Sequence, residues 1–251
     1  MINVATGIKS LVKPSYQARL ATTPAEIQQA QALRFDVFNL ELNEGLVESF
    51  DSGLDMDAFD AVCAHMIVQH IGTNEIVGTY RMQTGSSAKQ HLGYYSEREF
   101  DFTPFEPKRA EMLELGRACI SEKHRNFTVL NLLWKGIAAY AESQKARYLI
   151  GCSSLTSQNK ALGVAAYQMM AANQATAAWQ TRPQPGFECI AEPAAERPKI
   201  PRLLSAYLAL GASICSPPAI DRAFKTIDFL TMLDAHSPNV LTLQRRGRFT
   251  A

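Results

Sequence analysis

A chain of 251 residues, 47% of them apolar, can bury a sizeable core within one α/β domain carrying an extension. Its 25 Lys and Arg stand against 24 Asp and Glu, a formal charge of +1, so no global field gathers nucleic acid or an anionic membrane. No run reaches the ~18 apolar residues of a spanning helix and residues 1–14 lack a secretory apolar segment, which predicts a cytoplasmic protein. Cys63, Cys119, Cys152, Cys189 and Cys215 are scattered, with no CxxC pair and no His at zinc spacing. Neither a disulfide framework nor a metal site is expected, and Cys152, after an apolar run, reads as a packed thiol rather than a nucleophile.

In chain order, Tyr16 to Ala21 alternates as an opening strand, and Thr22-Thr23-Pro24-Ala25-Glu26 supplies an N-cap, a Pro at the first helical position and an early acid. The helix that follows repeats apolar residues at Ile27, Ala30, Leu33 and Val37, with Phe38 extending the face. Residues 41–60 lose this periodicity and read as a mobile loop. Two strands, 65–69 and 76–82, flank Gly72-Thr73-Asn74-Glu75, a hairpin signature. A strand over 111–121, a helix over 128–143, a strand over 147–152 and a helix over 159–172 complete a mixed sheet, whose βαβ crossover makes one parallel pair. From residue 182 prolines break the chain into short pieces. The apolar run 203–214 predicts a core helix, 223–233 a last strand, and Arg245-Arg246-Gly247-Arg248 a basic end that is either a solvated tail or a partner contact. The organisation expected is an arm at 1–15, a core at 16–181, and an extension at 182–251 packed on that core.

Charged residues in apolar surroundings carry the chemical signal. Arg34 lies on an apolar helix face and Arg81 at the end of an apolar strand, where each needs a carboxylate. Asp57, Asp60 and Glu114 are the candidates, and Arg117 follows Glu114 by three. Two readings of these residues remain side by side: an ion-pair network that ties a loop to the sheet, or a site.

The ordered series Leu33-Arg34 with Val37-Phe38, Asp57 with Asp60, Gly78-Thr79-Tyr80-Arg81, and Glu114 with Arg117 resembles the acyl-homoserine lactone autoinducer synthases. A closer resemblance is to the N-acyltransferases of ornithine lipid synthesis and the N-acyl amino acid synthases. It extends through Tyr94-Tyr95-Ser96-Glu97-Arg98-Glu99-Phe100, Leu133-Trp134-Lys135-Gly136-Ile137, Gly151-Cys152-Ser153-Ser154, Leu203-Leu204-Ser205-Ala206-Tyr207 and Pro218-Ala219-Ile220-Asp221, and so over most of residues 16–234. What the resemblance implies is a GNAT fold: a mostly antiparallel mixed sheet flanked by helices, with fourth and fifth strands splayed around the pantetheine arm of an acyl carrier protein. An amine then attacks the acyl thioester directly, in a ternary complex, and no cofactor is held permanently. By its match to the family glutamate, Glu114 is the implied general base. Arg117 joins the same site if Gly116 permits a bulge, because residues three apart in a regular strand face opposite ways. Tyr167 is the candidate acid for the departing thiol, with a core tyrosine as the alternative. Arg34, Phe38, Asp57, Asp60, Arg81 and Ser154 are the candidate substrate contacts, the two aspartates serving either a cationic amino acid such as ornithine or the charged cluster.

GNAT enzymes that use coenzyme A cradle its pyrophosphate on a glycine-rich turn before a helix. Here that turn is Arg125-Asn126-Phe127-Thr128-Val129-Leu130, without the glycines. With Lys123, His124 and Arg125 beside it, the turn suits the acidic surface of an acyl carrier protein, or is a solvated basic turn. The expected partners are therefore a carrier protein and a small amino acid, with no nucleic acid; a lipid product is compatible with peripheral contact at the inner membrane. An autoinducer synthase, and an acyl-binding relative without turnover, are the alternatives.

Overall fold

The computed structural model describes residues 15–240, so the basic C-terminal cluster and all but Ser15 of the expected N-terminal arm lie outside the described residues. β1 (Tyr16–Leu20) leads into α1 (Pro24–Phe35), which starts on a capping box. Thr23 Oγ1 accepts from the Glu26 N–H at 3.3 Å and Glu26 Oε2 from the Thr23 N–H at 3.2 Å. A π-helical segment, Asp36–Glu41, prolongs the helix and keeps Val37 and Phe38 buried. The region expected to be a mobile loop contains the helical turn α2 (Ser49–Ser52) and a 3-10 turn, Ala58–Ala61, capped by Asp57. Buried ion pairs, described below, fasten it to the sheet.

The hairpin is present as β2 (Ala64–His70) and β3 (Ile76–Thr84), with Asn74 taking the positive φ of the turn. After α3 (Gly85–Gln90) come β4 (Met112–Ile120), α4 (Phe127–Ser143), β5 (Tyr148–Leu155), α5 (Lys160–Met169) and α6 (Arg202–Ala209). The chain then adds β6 (Ser213–Ile214), β7 (Ala219–Asp221) and β8 (Thr226–Asp234). Among the described residues the eight strands form one sheet in the order β1-β2-β3-β4-β5-β8-β6, with β7 also on β8; of its strand pairs only β4 and β5 run parallel. The part expected to pack on a finished core thus enters the sheet itself. β8 pairs with β5 from Tyr148↔Asp234 to Leu155↔Ile227.

The strand period of two divides the core. Met66 and Val68 of β2 face α4, meeting Val129, Leu133 and Ile137 on the stripe that its helical spacing predicts, whereas Ile67 faces Leu33 of α1 and Val37 of the π-helical segment. β4 and β5 likewise send Leu113 and Leu149 to the α4 side, and Met112, Tyr148 and Ile150 to the opposite side, under Phe100, Phe102 and Phe105.

The splay expected between β4 and β5 is present. They pair only at Met112↔Tyr148, Leu113↔Leu149 and Glu114↔Ile150, and beyond that β5 is held from the β8 side alone. A bulge bends β4 away: Thr79 faces Cys119 and Arg81 faces Gly116, so Arg117 and Ala118 together oppose Tyr80. The bulge was expected to rest on Gly116, but the left-handed residue is Arg117, at φ +50°. For a non-glycine that conformation costs roughly 1–2 kcal/mol, and charged partners must hold it in place.

Candidate active site

Those partners form a closed ring. Arg34 Nε lies 2.8 Å from Asp55 Oδ2; Arg117 Nε reaches the same oxygen at 3.1 Å and, through Nη2, Asp57 Oδ2 at 3.1 Å. Arg81 Nη1 then bridges Asp57 Oδ1 at 2.6 Å and Asp60 Oδ1 at 3.3 Å, and Asp60 Oδ2 returns to Arg34 Nη2 at 2.8 Å. Three guanidinium groups alternate with three carboxylates, and the charges cancel. The ring ties α1, the segment between α2 and β2, β3 and the β4 bulge into one body. Burial drives the Asp60 carboxyl upward, but the Arg34 hydrogen bond and the charges of Arg34 and Arg81 outweigh it and leave Asp60 well below the usual carboxylate range. Asp57 is lowered in the same way, burial being offset by the charges of Arg81 and Arg117. Arg34, fully buried, together with Asp57 and Asp60, was proposed from sequence to touch substrate. Their charged partners all belong to the ring, and none of the three lines the cavity described next.

That cavity, of about 460 Å³, runs through the splay. On the α4 side it is apolar, walled by Leu115, Leu149, Leu233 and an aromatic trio: Tyr80, Trp134 and Tyr207. The Tyr80 and Tyr207 hydroxyls bond each other, and the Trp134 ring lies edge-on to both. Gly151 allows the strands to meet at the point of divergence, since a Cβ there would stand 2.2 Å from the Leu115 carbonyl oxygen. Arg81, Arg117, Phe38 and Ser154 line the cavity as the sequence proposed, as does Gly116. Tyr167 does not: it packs against a core cluster that holds Met170, Leu204 and Phe229.

Glu114 lines the cavity at the last β4–β5 pair, 6% exposed. The N-terminus of a 3-10 turn, Tyr95–Arg98, closes on its carboxylate: Oε2 accepts from the Tyr95 N–H and Oε1 from the Ser96 N–H, each at 2.8 Å, and the Ser96 hydroxyl also donates to Oε1. Burial raises this carboxyl above its ordinary value, moderated by the Ser96 bonds, so it is a stronger base than a surface glutamate.

A second acidic group, to which sequence reading assigned no chemistry, shares this face of the sheet. Asp221, Asp228 and Glu44 line the cavity, and the carboxylates of Glu99 and Asp228 lie with Cys152 Sγ within 4.8 Å of one another. Glu99 and Asp221 belong to sequence runs already noted for their resemblance, but Glu99 and Asp228 come from distant parts of the chain, and only the fold collects them. Burial, then the charges of these acids and of Glu114, pushes the Cys152 thiol well up, so it stays protonated.

At the far end, Asn126 caps α4, its side chain accepting from the Val129 N–H at 3.1 Å, and Phe127 is 74% exposed. Lys123 is exposed. Arg125 lines the cavity mouth but is clamped by Glu41 at 2.6 and 2.8 Å, and His124 bonds the Tyr16 hydroxyl at 3.0 Å. No described helix is long and apolar enough to cross a membrane.

A family model described as an acetyltransferase (GNAT) domain matches residues 33–135. The L-ornithine N(alpha)-acyltransferase of Brucella abortus (strain 2308) is 32% identical over 237 residues, 87% of this chain and 84% of that protein. The protein of the same name from Agrobacterium fabrum is 31% identical, over 88% of this chain and 81% of its own. Among solved structures, the CoA-dependent acyl-homoserine lactone synthase MesI superposes with a TM-score of 0.56 at 13% identity, covering 94% of this chain and 96% of that one. FeeM, an N-acyl amino acid synthase from uncultured soil microbes, gives 0.54 at 12%, covering 88% and 91%. At such identities the structural likeness shows the fold, which is that of the GNAT enzymes.

Proposed function

Since the chain belongs to the L-ornithine N(alpha)-acyltransferase family and is an acyltransferase, we propose that it moves a fatty acyl group, 3-hydroxylated or plain, from acyl carrier protein to the α-amine of ornithine. The observation that carries this reading is the cavity running through the splayed sheet, apolar on the α4 side and acidic on the other. The acyl chain lies against Trp134, Tyr207 and Leu149, the thioester at the parting of β4 and β5, and the amine beside Glu114.

Glu114 takes a proton from the α-ammonium, and the freed amine attacks the thioester carbon. As the tetrahedral adduct collapses, the C–S bond breaks and the nitrogen gives up its second proton. The thiolate needs one of these two protons, so the balance closes without a separate acid. The gap-facing edges of β4 and β5, with no ladder partner beyond Ile150, offer backbone N–H groups to the developing oxyanion. Arg117 is a positioning residue, because its guanidinium is committed to Asp55 and Asp57 while its backbone forms the bulge.

The carrier protein is favoured at the start of α4. Asn126 already occupies the Val129 N–H, and Phe127 stands where a pyrophosphate turn needs glycine. Exposed Phe127 beside Lys123 suits a partner with an acidic rim around an apolar spot. Comparing acyl carrier protein with coenzyme A carrying the same acyl group tests this. The carrier thioester is expected to give kcat/KM at least about 10-fold higher, and Lys123→Glu to lower that value without an equal loss for acyl-pantetheine, which has no protein to dock. Equal turnover of the two donors would overturn the carrier assignment.

A further inference from the structure

Glu99 and Asp228 are 2% and 3% exposed, and the Glu99 Oε2 and Asp228 Oδ1 atoms meet no hydrogen-bond donor. Two carboxylates set against each other in such a place share a proton, as the mutual Glu99–Asp228 hydrogen bond indicates, or are joined by a cation when one is bound. None of the described salt bridges reaches Glu44, Glu99, Asp221 or Asp228, and the nearby Arg117 is neutralised within the ring. Asp221 is differently placed: its Oδ1 accepts from the Phe224 N–H at 2.8 Å and its Oδ2 from the Tyr95 hydroxyl at 3.4 Å. The unmet acceptors are therefore confined to Glu99 and Asp228. Burial first, then the charges of Asp228 and Asp221, raises the Glu99 carboxyl far above its usual range, and burial raises Asp228 likewise, tempered by the Ser154 hydroxyl.

This pair shares a sheet face with the candidate base. Glu114 pairs with Ile150 of β5 and Asp228 with Ser154, both on the side that Cys152 occupies between them, and the Cys152 thiol feels the charges of Glu114, Glu99 and Asp228 together. We propose that Glu99 and Asp228 form a second subsite for the acceptor, a buried carboxylate pair that binds the side-chain ammonium of a diamino acid while its α-amine meets Glu114. The inference rests on the acyl-transfer reading above and adds a specificity device to it. An ammonium held between two carboxylates stays protonated and cannot attack, so the pair selects both the acceptor and the nitrogen acylated. A divalent metal is the competing occupant, with Glu99, Cys152 and Asp228 as its three ligands, and the titration below separates the two.

The test uses the full chain with an acyl carrier protein thioester and compares ornithine with norvaline, which has the same carbon skeleton without the terminal amine. The ratio of kcat/KM, ornithine over norvaline, is expected to be at least about 100 and to collapse toward one in Glu99→Gln and in Asp228→Asn. Because both acceptors are measured on the same preparation, partial misfolding lowers both rates and leaves the ratio intact. A ratio near one in the unaltered protein, or one that survives both substitutions, overturns the subsite while leaving acyl transfer standing. Absence of thiol release with every amino acid sinks the transfer reading, and the subsite with it. Calorimetric titration with zinc decides the competing occupant: stoichiometric binding that disappears in Glu99→Gln would make the trio a metal site and overturn the proposal.

Discussion

In the proposed reaction Glu114 concentrates the chemistry into one side chain. Three donors from Tyr95 and Ser96 hold its carboxylate rigid, burial makes it basic, and its place at the last β4–β5 pair puts it where the sheet opens. Glu114→Gln is expected to lower kcat/KM for acyl transfer by about 10² to 10⁴, the range general-base removal gives, while the fold survives because an amide oxygen can still accept from the Tyr95 or Ser96 N–H. Thiol release measured beside a thermal melt checks both halves. With the carboxyl raised, the activity of the unaltered enzyme should fall as pH drops through a value above that of an ordinary glutamate, and the variant's residual activity should lack that limb. Turnover in Glu114→Gln equal to that of the unaltered chain would remove the assignment.

At the scale of elements, the Arg–Asp ring explains how an acidic segment poor in apolar periodicity becomes fixed. Asp55 contacts two arginines, Arg34 and Arg117, and its backbone carbonyl accepts from Arg34 as well. Asp55→Ala leaves both guanidinium groups short of a partner, one of them completely buried, and should cost about 3–5 kcal/mol in urea denaturation. Sodium chloride should hardly change the stability that the ring contributes, because a buried network is poorly screened; the exposed Arg125–Glu41 pair sets the contrast. The same substitution frees the bulge, so activity should fall more than the folded fraction does. A loss below about 1 kcal/mol would show that the ring is not what holds the segment.

Across the whole molecule, the two acidic groupings pull stability in opposite directions with pH. Asp57 and Asp60 have lowered folded values, so their contribution is present above the ordinary aspartate value and is lost as pH falls through the lowered ones. Asp228 goes the other way, raised by burial from 3.8 to about 6, so stability tied to its protonated form is complete below 3.8 and lost as pH rises through about 6. Asp228→Asn should therefore match the unaltered protein near pH 4 and exceed it at pH 7, by a difference of order 1–3 kcal/mol. Urea midpoints at a series of pH values measure it, and a variant weaker than its parent at pH 7 would contradict the sign. Binding function purchased at the expense of apo stability is what such a pair represents.

How far the sequence reached follows the range of the interactions. Local signals carried the capping box at Thr23, the hairpin around Asn74, the α4 stripe and the βαβ crossover, because each depends on neighbours a few residues apart. The ordered motifs carried the GNAT fold and placed Glu114, Arg81, Arg117, Phe38 and Ser154 in a way that the cavity now gathers. Position alone left alternatives open elsewhere. Tyr167, a candidate acid with a core tyrosine as the alternative, packs on a core cluster, and of the two roles left open for Asp57 and Asp60 the structure shows the charged cluster, with arginines from α1, β3 and β4. Asp55 offered no periodic cue. The Glu99–Asp228 pair had none either, since its members meet only after β8 crosses to pair with β5 and the turn after α3 folds over that face. Sequence by itself determined the elements and the family, through short-range propensity and ordered residue types; tertiary structure alone decided which charges are neutralised and which are left waiting for a cation, because burial and long-range pairing set the energy of an ionised group.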